Sequence, residues 1–101
     1  MALAQVSTWR PRPGRYADFI NVCNQARKIN ERLGAQVRIW NSQLGSNANT
    51  VTYVIQHADG SAFGEFIDKI NGDGEWQQLV TSFQQDPPAE QEQSNLLREL
   101  P

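Results

Sequence analysis

Between Tyr16 and Leu33 the apolar residues Tyr16, Phe19, Ile20, Cys23, Ala26, Ile29 and Leu33 recur at helical spacing. They form one stripe about five turns long. Asp18, Asn21, Gln25, Lys28 and Arg32 occupy the opposite face, so this helix must lay one side against a core and leave the other in water. Gly34 stands where a left-handed C-cap residue belongs, with Lys28 and Arg32 near the negative end of the helix dipole. A single amphipathic helix needs a partner layer. In a chain of 101 residues that means one two-layer domain, spanning 1–101.

The partner layer is a sheet. Leu3 to Trp9 reads as a strand with β-forming Val6, Thr8 and Trp9, stopped by Arg10-Pro11-Arg12-Pro13-Gly14 because proline lacks the ladder N–H. Gln36 to Ser42 alternates, with Val37 and Ile39 on one face and Arg38 and Trp40 on the other. Thr50 to His57 places Val51, Tyr53 and Ile55 on one face and Val54 on the other. The Gly- and Asn-rich stretch 44–49 between these two strands predicts an antiparallel hairpin. Asp59 to Ser61 then offers N-caps for a helix with the stripe Phe63, Phe66, Ile67 and Ile70. Asn71-Gly72-Asp73-Gly74 breaks it, with glycines suited to left-handed backbone, before Trp76, Leu79, Val80 and Phe83 resume the stripe. Residues of about 84–93 form a polar spacer containing Asp86-Pro87-Pro88. The last segment, about 94–100, is a short strand or a helical tail; Leu96, Leu97 and Leu100 favour the strand.

The order strand, helix, strand, strand, helix, strand is that of an α+β, ferredoxin-like βαββαβ domain: a four-stranded antiparallel sheet with its helices on one face. The other face is then bare, yet it carries Trp40 and part of the apolar third strand. A bare apolar face marks an interface, and a second copy, sheet against sheet, is the economical cover.

The junction Thr8-Trp9-Arg10-Pro11-Arg12-Pro13-Gly14-Arg15-Tyr16-Ala17-Asp18-Phe19 resembles the first junction of dimeric α/β-barrel proteins, in the NIPSNAP-like and antibiotic-biosynthesis-monooxygenase-like groups. There a strand ends in a Pro-Gly-Arg or Pro-Gly-Lys turn and a helix opens with an acidic-aromatic pair. The resemblance implies a homodimer with facing sheets and clefts between each sheet and its helices. It also implies a small organic or aromatic ligand with monooxygenase-like chemistry. The alternatives are a non-catalytic structural or oligomerisation module of the same fold, and a subunit whose partner is another protein.

Trp9, Arg38, Trp40, Tyr53 and His57 are the ligand-pocket candidates; no catalytic residue can be named. Arg38 and the indoles suit a developing negative charge, but the same residue types are enriched at interfaces. His57 is the only histidine and titrates nearest neutrality; the plainer expectation is a strand-end histidine half in solvent. The Asn–Trp–His trio that haem-degrading members of the superfamily place around their haem does not map onto this chain. Cys23 lies within the apolar stripe and is expected to be inert, with no electropositive neighbour. Asp73-Gly74-Glu75 is a fragment of a calcium loop without the remaining oxygens, so it reads as a turn. No nucleotide, haem or metal signature occurs, so no cofactor and no metal are expected.

The net charge of −2 conceals an asymmetry: seven bases against two acids over 1–40, and two bases against nine acids over 41–101. The third strand lacks the basic-Gly-aromatic run of an RNA-recognition motif, and no basic run exceeds two residues, so nucleic acid is not expected as a partner. Membrane association is not expected either, since no apolar run approaches about 18 residues and Met1 to Gln5 lacks signal-peptide character. The expectation is a cytoplasmic protein.

Overall fold

The computed structural model describes residues 1–46 and 48–101. The apolar stripe forms α1, Tyr16–Arg32, and buries Phe19, Cys23, Ala26 and Ile29. Gly34 has φ +99°. Its N–H bonds Glu31 C=O at 3.1 Å and the Ala35 N–H bonds Asn30 C=O at 3.1 Å, the paired hydrogen bonds of a Schellman motif. At the other end Arg15 Nε donates to Asp18 in the first turn at 2.6 Å, although no side chain caps the backbone there.

Four strands follow the expected order: β1 (Leu3–Pro11), β2 (Gln36–Asn41), β3 (Val51–His57) and β4 (Ala89–Arg98). They form one sheet in the order β2-β3-β1-β4, every neighbour antiparallel. This is the ferredoxin-like α+β architecture.

Two strand boundaries differ from expectation. β1 runs past Trp9 to Pro11, because its last two residues pair only with β4, where Pro11 faces Ala89; a strand end with one neighbour tolerates a missing N–H. The polar spacer shrinks as well. β4 begins at Ala89, not near 94, leaving 86–88 as the link. Every residue of β4 after Ala89 is exposed, so its Gln and Glu residues follow no apolar period; backbone pairing with β1 makes the strand.

The second helical region is two helices, α2 (Gly60–Asn71) and α3 (Gly74–Gln85). Asp59 caps α2 by accepting from the Ala62 N–H at 2.8 Å. The break falls where the sequence places it, but by another device. Gly72 has φ −98°, and the positive-φ glycines are Gly14, Gly34 and Gly45. Asp73 makes the break: its carboxylate accepts from the Trp76 N–H at 2.9 Å and starts a fresh helix.

Antiparallel partners share a face, so Gln5, Ser7 and Trp9 lie with Ile55, Tyr53 and Val51, and Ile55 and Tyr53 with Val37 and Ile39. Helices cover this face, giving one cluster around Phe19, Cys23, Val51 and Tyr53 and a smaller one around Phe66 and Ile70. The other face carries Val6 opposite Val54, with Arg38, Trp40 and Leu97; Trp40 is 62% exposed and Leu97 52%.

The charge asymmetry resolves into ion pairs. Arg10 meets Glu92 at 2.8 Å, Arg12 meets Glu90 at 3.2 Å, Arg15 meets Asp86 at 3.1 Å and Arg32 meets Asp73 at 2.8 Å. Exposed pairs contribute about 0–1 kcal/mol each. Their effect here is to align the start of the chain with its acidic end. Among the described residues no helix is long and apolar enough to cross a membrane.

Candidate ligand cleft

A cleft of about 610 Å³ opens between the sheet, α1 and α3. Trp9 and Tyr53 line it from the sheet, Phe19 and Cys23 from α1, and Trp76 and Phe83 from α3. The Trp9 ring lies 5.6 Å from Phe19 and 5.5 Å from Phe83, edge-on to the latter, so one aromatic wall joins strand to both helices. α1 buries several of its side chains, whereas α3 buries none. That half-burial of a well-formed apolar stripe is the mark of a helix standing over a cleft.

Polar atoms on the sheet side are already engaged. The Trp9 indole N–H donates to Ser7 Oγ at 2.8 Å. The Tyr53 hydroxyl accepts from Asn30 Nδ2 at 2.8 Å, and Asn30 is completely buried, its Oδ1 without a partner among the described residues. Burial pushes the Tyr53 phenol upward despite that hydrogen bond. It also pushes the Cys23 thiol up to about 12, against a smaller opposing effect of Arg27. Cys23 therefore does have an electropositive neighbour, and desolvation outweighs it. Both groups stay protonated at neutral pH. At the mouth, Arg12 donates from Nε to Pro87 C=O at 2.9 Å and pairs with Glu90.

The five candidate residues do not form one site. Trp9 and Tyr53 line the cleft. Arg38 and Trp40 lie on the face without helices and border a separate concavity of about 440 Å³ with Arg27 and Glu31. His57 lines neither; it pairs with Leu3, at the far end of β1 from Trp9. It is buried rather than half in solvent, at 5% exposure. Phe63 and Phe66 of α2 cover it at ring distances of 5.2 and 4.9 Å. Its Nε2 lies 3.0 Å from the side-chain amide of Gln5.

Burial holds the His57 pKa below its ordinary value. The unfolded chain therefore binds the proton more readily, and this group's contribution to stability is complete above about pH 6.5 and lost as pH falls through the lower folded value. Urea melts between pH 7 and 5 are expected to show falling stability, and His57→Leu to lose that part of the slope. An unchanged slope in the variant would contradict it.

Residues that the sequence did not single out as site residues complete the cleft. Trp76, Leu79 and Phe83 stand out only as an amphipathic stripe, and nothing in their spacing tells core from cleft lining. Asn30 escapes because its partner lies on another element. The Asp73-Gly74-Glu75 turn is engaged structurally: Arg32 reaches Asp73 and also Glu75, at 3.5 Å. Among the described residues no group of acidic, His and Cys side chains is arranged to hold a metal ion.

The NIPSNAP family profile matches residues 4–101. The chain belongs to the NIPSNAP family. Solved structures agree on the fold. An uncharacterised NIPSNAP domain protein from Burkholderia xenovorans is 22% identical with a TM-score of 0.74, covering 97% of this chain and 94% of its own. A NIPSNAP family protein from Agrobacterium tumefaciens is 15% identical with a TM-score of 0.77, covering 98% and 86%. A Bacteroides thetaiotaomicron protein of unknown function, described as a possible oxidoreductase, is 9% identical with a TM-score of 0.68, covering 95% of each chain. No curated protein matches the sequence. The NIPSNAP relationship accounts for the fold; it does not name an activity.

Proposed function

We propose that this NIPSNAP chain is a homodimeric binding protein for a small, flat, largely apolar organic molecule held in the cleft between the sheet, α1 and α3. The observation that carries the reading is the cleft itself. About 610 Å³ falls within the usual range for small-molecule sites, roughly 300–1,000 Å³. Aromatic rings from both layers line it, and the Trp9 and Tyr53 polar atoms are bonded within the protein, which favours an apolar ligand body over a polar one. Arg12 and Glu90 at the mouth suit a polar tail on that ligand.

Dimerisation is supported by the face that carries Val6, Val54 and Leu97 without a helix to cover it. Monooxygenase-like chemistry is supported by the resemblance at the first strand–helix junction and by the description of the Bacteroides relative. With Cys23 and Tyr53 protonated, a reaction in this cleft would draw its nucleophilic character from the bound molecule.

A panel of flat aromatic acids, quinols and haem, followed by tryptophan emission and oxygen uptake, tests the reading. At least one compound is expected to bind saturably. Leu79→Trp, which fills the cleft from α3, should abolish that binding, while Arg38→Ala and His57→Ala should leave it intact. No binding across the panel, or binding indifferent to Leu79→Trp, would favour a packing module instead.

A further inference from the structure

We infer that the last turn of α3 is the gate of the cleft, latched by the ion pair between Arg15 and Asp86. The gate rests on the cleft reading proposed above and concerns how a ligand enters and leaves. α1 and α3 are tied cap to cap at both ends. Arg32, the last residue of α1, reaches Asp73, the N-cap of α3, at 2.8 Å. Arg15, the N-cap of α1, reaches Asp86, the C-cap of α3, at 3.1 Å. The helices therefore run antiparallel, and the half-buried stripe Trp76, Leu79, Val80 and Phe83 spans the cleft between the two ties.

The ties differ in kind. At the start of α3 the Asp73 side chain is 12% exposed and accepts from the Trp76 N–H at 2.9 Å as well as from Arg32. Gln77 Nε2 donates to the Asn71 C=O at 2.9 Å, which joins α3 to α2. That end is firm. At the other end the Asp86 side chain is 77% exposed, and among the described residues it pairs with Arg15 alone. Arg15 also holds Asp18 at 2.6 Å, so releasing Asp86 strands no arginine charge. The backbone gives no second hold. The last carbonyls of a helix are commonly met by N–H groups of the two residues after the C-cap. Here those residues are Pro87 and Pro88, which have none.

The loose end lies at the mouth. Arg12, Gln84, Pro87 and Glu90 line the cleft there, and Phe83 closes on the Trp9 ring at 5.5 Å. Just beyond, the chain is fixed again. The Pro87 C=O accepts from Arg12 Nε at 2.9 Å, and the Pro88 C=O from the Arg12 N–H at 2.8 Å. Motion is thus confined to the turn from Phe83 to Asp86. Its unwinding withdraws Phe83 from Trp9 and widens the mouth without moving the sheet. An exposed turn with few buried contacts opens locally at low cost, as a gating element must.

The test reads amide exchange along α3, and acrylamide quenching of Trp9 and Trp76 in a Trp40→Phe background. Asp86→Asn should speed exchange at Phe83, Gln84 and Gln85 about twofold to fivefold, the range an exposed ion pair supplies, and should raise quenching. Asp18→Asn, which leaves Arg15 to Asp86 undivided, should lower both. Glu75→Gln, a charge removed at the firm end, should change neither. Sodium chloride at about 0.5 M should reproduce Asp86→Asn in the wild-type protein and add nothing to the variant. For any compound of the panel that binds, Asp86→Asn should raise association and dissociation rates by the same factor and leave Kd unchanged. Equal exchange and quenching in wild type and Asp86→Asn would overturn the gate while leaving the cleft reading intact. Faster exchange along all of α3, Trp76 to Gln78 included, would also overturn it, because the whole helix would then detach. A response confined to the last turn, with no compound bound, would uphold the moving turn and overturn the ligand reading alone.

Discussion

Phe19→Ala should lower the free energy of unfolding by about 3–5 kcal/mol, as expected for deletion of a buried aromatic side chain. Phe19 is 2% exposed and is the point where α1 meets the Trp9 wall. Removing it takes away the ring contact at 5.6 Å and leaves a void continuous with the cleft. The surroundings can relax only from the cleft side, because Val51 and Tyr53 beneath are held in the sheet. Equilibrium urea denaturation measures the change. A loss below about 1 kcal/mol would mean that the cleft wall closes over the void, and the wall would then be softer than the packing implies.

Val54→Asp should convert the proposed dimer to a species of 11.4 kDa at micromolar concentration while leaving the far-ultraviolet dichroism intact. Val54 faces Val6 across the central strand pair, so an isologous sheet-to-sheet contact would bury the new charge twice about one axis. Each uncompensated buried charge costs about 3–5 kcal/mol, so even one of the two weakens the dissociation constant about a hundred- to several-thousand-fold. In a monomer the same side chain would reach water. Sedimentation equilibrium distinguishes the outcomes, and a wild-type protein that already sediments as 11.4 kDa removes the dimer. Trp40→Ala should weaken association less than Val54→Asp, since β2 is an edge strand and Trp40 lies at the margin of the face.

The elements legible in the sequence are those that set one apolar face against water. The α1 stripe, the alternation in β2 and β3 and the resumed stripe after Asp73 each specify type and orientation locally, and the strand order follows from them. β4 was legible only where its leucines lie, because a strand exposed on both faces has no period to read. The burial of His57 is illegible for a different reason: it is supplied by Phe63 and Phe66, and how α2 crosses the end of β3 is a matter of tertiary packing. Asn30 shows the same limit, as its side-chain partner among the described residues is Tyr53. Of the cleft, Trp9 and Tyr53 could be nominated by chemistry. Trp76 and Phe83 could not, because an amphipathic stripe looks the same whether it closes on a core or stands over a space.

The central position of β1 has a consequence for how the chain is made. Within this domain β1 is synthesised before every other element, yet its two neighbours are β3, beginning at Val51, and β4, ending at Arg98. Both flanks of that strand therefore stay open while most of the domain is made, and the second closes only when β4 has emerged. Loop closure over such separations slows folding and leaves strand edges unpaired in the meantime. Arg10 and Arg12, waiting beside that strand for Glu92 and Glu90, keep the nascent segment cationic until those partners arrive. That charge discourages one unfinished chain from pairing with another.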